Sequence, residues 1–311
     1  MRSEMTVGRL LPRLLGAVGG VVAAVCVCGM PAGGAACGAP RELPLPQVPD
    51  TLREPRLRAV HVVGHFWDAM DFRDSVRACD RDFLEQNFVN FVSLFPHADT
   101  AALAPAVVRL MHAAEANGAA YRLLAQIAEK YLYEPGSPLR DEACYRLFLD
   151  ELVDAPVLGA YEKLRYAAQS EAVRKNCPGT PAADFAFVDR RGVRHTLRDL
   201  PGERLLVIFY DPECAHCIET MTALQRHPAV ARQVGAGALS VLAVFADGEE
   251  AVWRRTPAEL PQGWTDGLDA TGVQEHGLYV LSELPALYLL DRDRRVLLKE
   301  PAPEVLTQAL E

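Results

Sequence analysis

Phe209-Tyr210-Asp211-Pro212-Glu213-Cys214-Ala215-His216-Cys217 is the stretch on which the fold of the C-terminal half turns. Leu205 to Tyr210 is an unbroken apolar run, the composition of a central strand buried on both faces. Asp211 and Pro212 stop that strand, and a helix beginning near Cys214 puts Cys214, Cys217, Met221 and Leu224 on one face. A cysteine at a helix start meets free backbone N–H groups and the positive end of the helix dipole, which favour a thiolate. The two intervening residues let the second thiol reach the first within one helical turn.

That geometry implies a specific chemistry. The Cys214 thiolate attacks a partner's disulfide, Cys217 then attacks the Cys214 sulfur, and the reduced partner leaves; run backwards, the same steps donate a disulfide. His216, between the cysteines, adds positive charge beside a thiolate when it is protonated. A single C-x-x-C pair also fits half a zinc site or a purely structural disulfide. The chain offers no second such pair, and Cys79, Cys144 and Cys177 are scattered, so neither a metal nor another cofactor is expected. The structural disulfide stays open.

Around the cysteines, strands alternate with helices. Phe185–Val188 and Val193–Leu197 flank Asp189-Arg190-Arg191-Gly192 as a hairpin, and Ala286–Leu290 and Arg295–Leu298 flank Asp291-Arg292-Asp293-Arg294 as another. A strand over Leu239–Ala246, helices near Glu249–Arg255 and Val273, and a closing helix over Pro303–Leu310 complete a sheet of about four or five strands covered by helices. Asn176-Cys177-Pro178-Gly179-Thr180-Pro181 breaks the pattern and marks a domain boundary at 175/176.

Upstream, residues 56–175 have helical period. Leu84, Phe88, Phe91, Val92 and Phe95 recur at steps of three and four, as do Leu123, Leu124, Ile127, Ala128 and Leu132, and five or six amphipathic helices form an all-α domain. Phe66, Trp67, Phe72, Phe88, Phe91 and Phe95 are expected in its core rather than along a groove. His61 and His65 have the spacing of a helical zinc pair, and Asp68 and Asp71 lie near. Val62 stands where the general-base glutamate of H-E-x-x-H belongs, so no metal is assigned there. Cys79 and Cys144 are candidates either for a disulfide across this domain or for buried free thiols, with Cys177 left near the boundary.

The first 36 residues read as an export signal. Arg2, Arg9 and Arg13 precede a chargeless stretch from Leu14 to Ala36 rich in Ala, Val and Gly. Three uses fit: cleavage after Ala36, a lipoprotein signal in which Gly34-Ala35-Ala36-Cys37 resembles a lipobox and Cys37 is acylated, or an uncleaved membrane anchor. Residues 37–55 hold five prolines between Pro40 and Pro55 and read as a linker. The expected location is the periplasm or cell envelope, with a lipid anchor through Cys37 as one form. Across 311 residues the formal charge is −9, with both signs intermixed, so nucleic acid is not an expected partner.

From about Asn176 to Glu311 the chain resembles the thioredoxin superfamily, and within it the envelope thiol–disulfide proteins of the TlpA and ResA kind. The resemblance rests on Cys214-Ala215-His216-Cys217 after its strand and on Leu284-Pro285-Ala286-Leu287-Tyr288-Leu289-Leu290-Asp291. It implies a cis bond before Pro285, which packs beside the cysteines, and a Leu284 backbone that pairs with a bound peptide. The helical segment resembles the uncharacterised N-terminal domain that precedes such a fold in some Gram-negative envelope proteins.

This chain departs from thioredoxins at three positions. Ile208 stands where they carry a buried acid, Tyr210 where Trp is frequent, and Leu284 where Thr or Val is usual. Asp211 or Glu213 is then the candidate proton acceptor. Peroxiredoxin chemistry is disfavoured, because the Thr or Ser and the Pro it needs before its cysteine are replaced by Asp211 and Val207 ahead of Cys214. The resemblance implies an exported thiol–disulfide oxidoreductase that acts on protein thiols and disulfides and has an unidentified redox partner. The alternative is a redox-inactive binding or scaffolding protein that has kept the fold.

Overall fold

A computed structural model describes residues 42–246, 248–256, 260–261 and 263–311. The export stretch and Cys37 lie outside those residues. Among the described residues no helix is long and apolar enough to cross a membrane. The chain divides into two compact units after Ser170.

The first unit is helical: α1 Pro55–His65, α2 Ser75–Ala78, α3 Arg81–Val92, α4 Thr100–Ala114, α5 Gly118–Leu132, α6 Glu142–Leu152 and α7 Ala160–Val173, the last running across the boundary. Short polar side chains start most of them. Asp80, Asp99, Asn117 and Asp141 each accept a hydrogen bond from a first-turn amide, supplying partners that the helix itself lacks. Phe66, Trp67, Phe72, Phe88, Phe91 and Phe95 are all buried. Phe91 lies among them, its ring 5.5 Å from Phe66 and 4.9 Å from Phe95.

Three polar residues of α3, Glu85, Asn87 and Asn90, are buried with it. Asn87 accepts the Leu43 amide at 2.8 Å, which fixes one point of the proline-rich linker. Glu85 accepts from Lys130 at 2.9 Å, Arg81 at 3.0 Å and Tyr131 at 3.2 Å. Burial works against its charge, but those donors outweigh burial and hold its pKa below the ordinary value.

Neither expectation for Cys79 holds: it is a free thiol, and it is exposed, within 3.9 Å of the α5 cap Asn117. Cys144 is also free; it donates to its helix cap Asp141 at 3.2 Å, and burial together with that carboxylate pushes its pKa up. His65 pairs with Asp68 at 2.7 Å, His61 faces the Gln47 carbonyl, and Asp71 accepts the Arg73 amide.

The second unit is built on one seven-stranded sheet, larger than the four or five strands expected. Its strands are β1 Ala186–Asp189, β2 Arg194–Thr196, β3 Arg204–Tyr210, β4 Leu239–Phe245, β5 Trp264–Asp269, β6 Ala286–Leu290 and β7 Val296–Lys299. The order is β2-β1-β5-β4-β3-β6-β7, with β3, β4 and β5 parallel and the flanking pairs antiparallel. Side chains of β3 alternate between two cores. Leu206, Ile208 and Tyr210 join one with residues of the helices α8 Ala215–Arg226, α9 Pro228–Gly235, α10 Glu250–Arg255 and α11 Pro303–Leu310.

Leu205, Val207 and Phe209 join the other, where Phe185, Tyr279 and Tyr288 pack around Phe209. In this second core the covering segment is irregular chain. The helix expected near Val273 is instead a series of turns. Gly272 and Gly277 take φ of 78° and 59°, and the Asp269 carboxylate accepts the Thr271 and Val273 amides.

The Glu85 cluster gives a stability prediction. A carboxyl whose folded pKa is depressed stabilises the fold above its unfolded pKa, and that contribution disappears as pH falls through the folded value. Glu85→Gln should therefore cost about 1–2 kcal/mol near pH 7. The gap from wild type should close as pH drops below the ordinary glutamate value of 4.5. Thermal unfolding followed by circular dichroism at pH 7 and in acid checks both parts.

Candidate active site at the end of β3

Tyr210 ends β3, and its backbone leads directly into a tight turn. Asp211 Oδ1 accepts the Glu213 amide at 2.8 Å, and the Asp211 carbonyl accepts the Cys214 amide at 3.1 Å. Pro212 is buried beneath the turn. Cys214 is then the N-cap of α8: its backbone is extended, and its Sγ accepts the Cys217 N–H at 3.3 Å. A sulfur thus occupies the place that a Ser or Asp oxygen fills at an ordinary cap.

The two thiols differ in exposure. Cys214 is half-buried, whereas Cys217 has no exposed surface and belongs to the apolar core under α8. Burial is the main reason that the Cys217 pKa is pushed up to about 12, and the nearby Cys214 and the Asp211 carboxylate add to it. The backbone amide of Asp211 acts in the opposite sense and favours the thiolate. Both cysteines are free thiols in this structure.

The remaining site residues separate into those beside the cysteines and those facing solvent. His216 and Glu213 are exposed. Asp211 is the acid next to Cys217, so of the two candidate proton acceptors it is the one the fold places there. The Leu284–Pro285 bond is cis. Because Phe209 pairs with Ala286 in the antiparallel β3–β6 ladder, Pro285 lies opposite Tyr210 at the mouth of the site. Leu284 is partly buried against both cores. Ile218, one residue after Cys217, is 53 % exposed and gives the surface beside the cysteines an apolar side chain.

Three residues beneath the site carried no sequence signal. Asp266 on β5 accepts the Tyr210 hydroxyl at 2.9 Å and the Trp253 indole N–H at 3.0 Å through one oxygen, and Arg190 Nε at 2.5 Å through the other. The Arg190 guanidinium lies 4.0 Å over the Trp253 ring. Burial and the Asp266 carboxylate raise the Tyr210 pKa, so its hydroxyl stays protonated and donates. Strand pairing is what brings these groups together. Ile208 pairs with Ala243, and Ala243 with Asp266, so an acid whose side chain is 9% exposed lies in the row of Ile208 but two strands away. Among the described residues no group of three or more His, Cys, Asp or Glu side chains is arranged to hold a metal.

Residues 20–176 match the family model described as a domain of unknown function, DUF5106. The chain is similar to a thioredoxin-like protein from Bacteroides caccae, with a TM-score of 0.82 and 30% identity, over 86% of this chain and 97% of that one. A conserved protein of unknown function from Bacteroides fragilis matches 43% of this chain over 99% of its own length, at 32% identity and a TM-score of 0.42. The thioredoxin domain of a thiol-disulfide oxidoreductase from Bacteroides vulgatus matches 43% of this chain over 95% of its own, at 20% identity and a TM-score of 0.38. No curated protein sequence matches significantly. The Bacteroides caccae likeness spans both units and agrees with the thioredoxin-like sheet and the helical unit before it. The chain belongs to the DUF5106 family, with its helical domain followed by a thioredoxin-like domain.

Proposed function

We propose that this protein is a thiol–disulfide oxidoreductase of the cell envelope that exchanges a Cys214–Cys217 disulfide with protein thiols. The observation that carries the proposal is the unlike pair at the start of α8. Cys214 is accessible and accepts a backbone N–H at its sulfur, and the neighbouring Cys217 is fully buried. In the reducing direction the Cys214 thiolate attacks a partner disulfide and one partner sulfur leaves as a thiolate. The buried Cys217 then loses its proton, attacks the Cys214 sulfur and expels the second partner thiol. Burial keeps Cys217 protonated until the mixed disulfide has formed, so the order of the two steps follows from their positions.

Asp211, beside Cys217, is the acceptor of that proton, and the Leu284–Pro285 segment borders the surface where a partner peptide sits. Export is supported by the basic start and the chargeless stretch from Leu14 to Ala36. The periplasm or cell envelope is then the site of action, with an acylated Cys37 as one form of membrane attachment.

Three measurements test this reading. In the reduced native protein at pH 7–8, iodoacetamide should modify Cys214 and spare Cys217, as read by peptide mass mapping; equal labelling would contradict the geometry. The pair should show a reversible two-electron couple. A potential near about −270 mV would make the protein a reductant, and one above about −180 mV an oxidant or isomerase. No couple leaves the binding or scaffolding alternative, in which partner binding survives Cys214→Ser unchanged. Mass spectrometry of the chain from the cell envelope should find an N-terminus at Cys37, and the added mass of a lipid there separates acylation from simple cleavage. An intact N-terminus in the cytoplasm would end the export proposal.

A further inference from the structure

His61 and His65 stand one turn apart on α1, and the exchange reaction makes no use of them. Their rings lie side by side, with centroids 4.6 Å apart and planes 42° from parallel. Each ring has one nitrogen committed. His65 Nδ1 meets Asp68 Oδ2 at 2.7 Å, and His61 Nε2 meets the Gln47 carbonyl at 3.1 Å. Carboxylate and carbonyl oxygens only accept, so each proton sits on the bonded nitrogen. The neutral rings then keep a lone pair on His61 Nδ1 and on His65 Nε2, and no described residue hydrogen-bonds either atom. Both rings border a hollow of about 390 Å³ between α1 and α4, where a Cβ on Gly64 would meet nothing within 4 Å.

Imidazoles prepared for a metal are held in this way. A ligating histidine ordinarily donates its other N–H to a carboxylate or a backbone carbonyl, which fixes the ring and its tautomer. Here there is one of each. The spacing also fits. An ion about 2.0–2.1 Å from one nitrogen of each ring lies about 3.2 Å from each centroid. Two imidazoles at right angles about it would have centroids about 4.5 Å apart, and at the tetrahedral angle about 5.2 Å. The observed 4.6 Å matches the right angle. Right angles belong to copper(II) and nickel(II) in tetragonal sites, and copper(II) binds the more tightly of the two. His65 also lies in the last turn of α1, where the helix carbonyls favour a cation. The glutamate missing from H-E-x-x-H serves proteolysis and is not needed for binding. Arg109 borders the hollow too, but it is exposed, on a side chain long enough to keep its charge in water.

We propose that His61 and His65 form a binding site for a tetragonal divalent ion of the copper(II) class. His61 Nδ1 and His65 Nε2 supply two adjacent ligands, while Asp68 and the Gln47 carbonyl hold the rings. Among the described residues no third His, Cys, Asp or Glu completes a cluster, so water fills the remaining positions. The site is independent of the cysteine pair, and binding requires no change in the oxidation state of the ion.

The test titrates copper(II) chloride into the full chain after iodoacetamide has capped its accessible thiols, which would otherwise reduce and bind the ion. Calorimetry should find one equivalent bound, and the electron paramagnetic resonance spectrum should show an axial signal coupled to two nitrogens. Asp68→Ala should weaken binding by roughly 10- to 100-fold, as the loss of an outer-shell partner does. His61→Gln and His65→Gln each remove a ligand and should weaken it at least as much. Asp68 is exposed, so its variant carries the test if a histidine variant does not fold. His276→Gln, which alters an exposed histidine of the second unit, should bind as wild type does. No bound equivalent, a spectrum with fewer than two coupled nitrogens, or wild-type affinity in the Asp68, His61 and His65 variants overturns the proposal.

Discussion

The burial of β3 on both faces is the constraint on which the second unit depends. From Leu205 to Tyr210 no side chain is more than 2% exposed, and alternate residues belong to different cores. A slip of one residue would exchange the two sets, placing Phe209 among the helices and Ile208 among the aromatic rings. The register is therefore fixed, and with it the point at which the strand stops. Cys214 is four residues beyond that point, and the only structure between is a turn closed by its own Asp211.

The difference between the two thiols follows from the same placement. A helix that starts at the end of a buried strand has its first turn at the surface and its inner face against the core. Cys214 lies at the surface end, where the Cys217 amide is free to donate to it. Cys217, one turn on, lies on the inner face with Met221 and Leu224. Distinct roles in the proposed exchange thus need no special side chain beyond the spacing of three, because the helix supplies a half-buried sulfur with a donor and a fully buried one.

What could be read from the sequence was whatever local pattern dictates. The apolar run of β3, the two hairpins with their charged turns, and the helical repeats around Phe88 and Leu124 each announce themselves within a dozen residues. Strand β5 does not. Its six residues, Trp264-Thr265-Asp266-Gly267-Leu268-Asp269, hold a glycine and two acids, which argue against a strand. The structure gives a reason for two of them. A Cβ at Gly267 would meet the Phe187 ring at 2.7 Å, so glycine lets β1 lie against β5. Asp266 is there to receive donors from three other elements. Both reasons are tertiary, and without β5 the β1–β2 hairpin has no strand to join, so the sheet read from sequence is too small. The Val273 region misleads in the opposite way, since an apolar residue among helix formers cannot show that Gly272 and Gly277 take left-handed conformations.

The position of Asp266 bears on how a proton would leave the site in the proposed exchange. With Ile208 under the cysteines, the row beneath Cys217 is apolar as far as Ala243, and the carboxylate appears only at Asp266. There it is neutralised by Arg190 and saturated by Trp253 and Tyr210, so it has no free role as a base. A carboxylate directly below Cys217 would add its own repulsion to a thiol that burial already holds near 12. Moving the acid two strands away removes that repulsion and converts the charge into an anchor for Tyr210. In the proposed exchange, proton transfer then falls to Asp211, the acid that acts on Cys217.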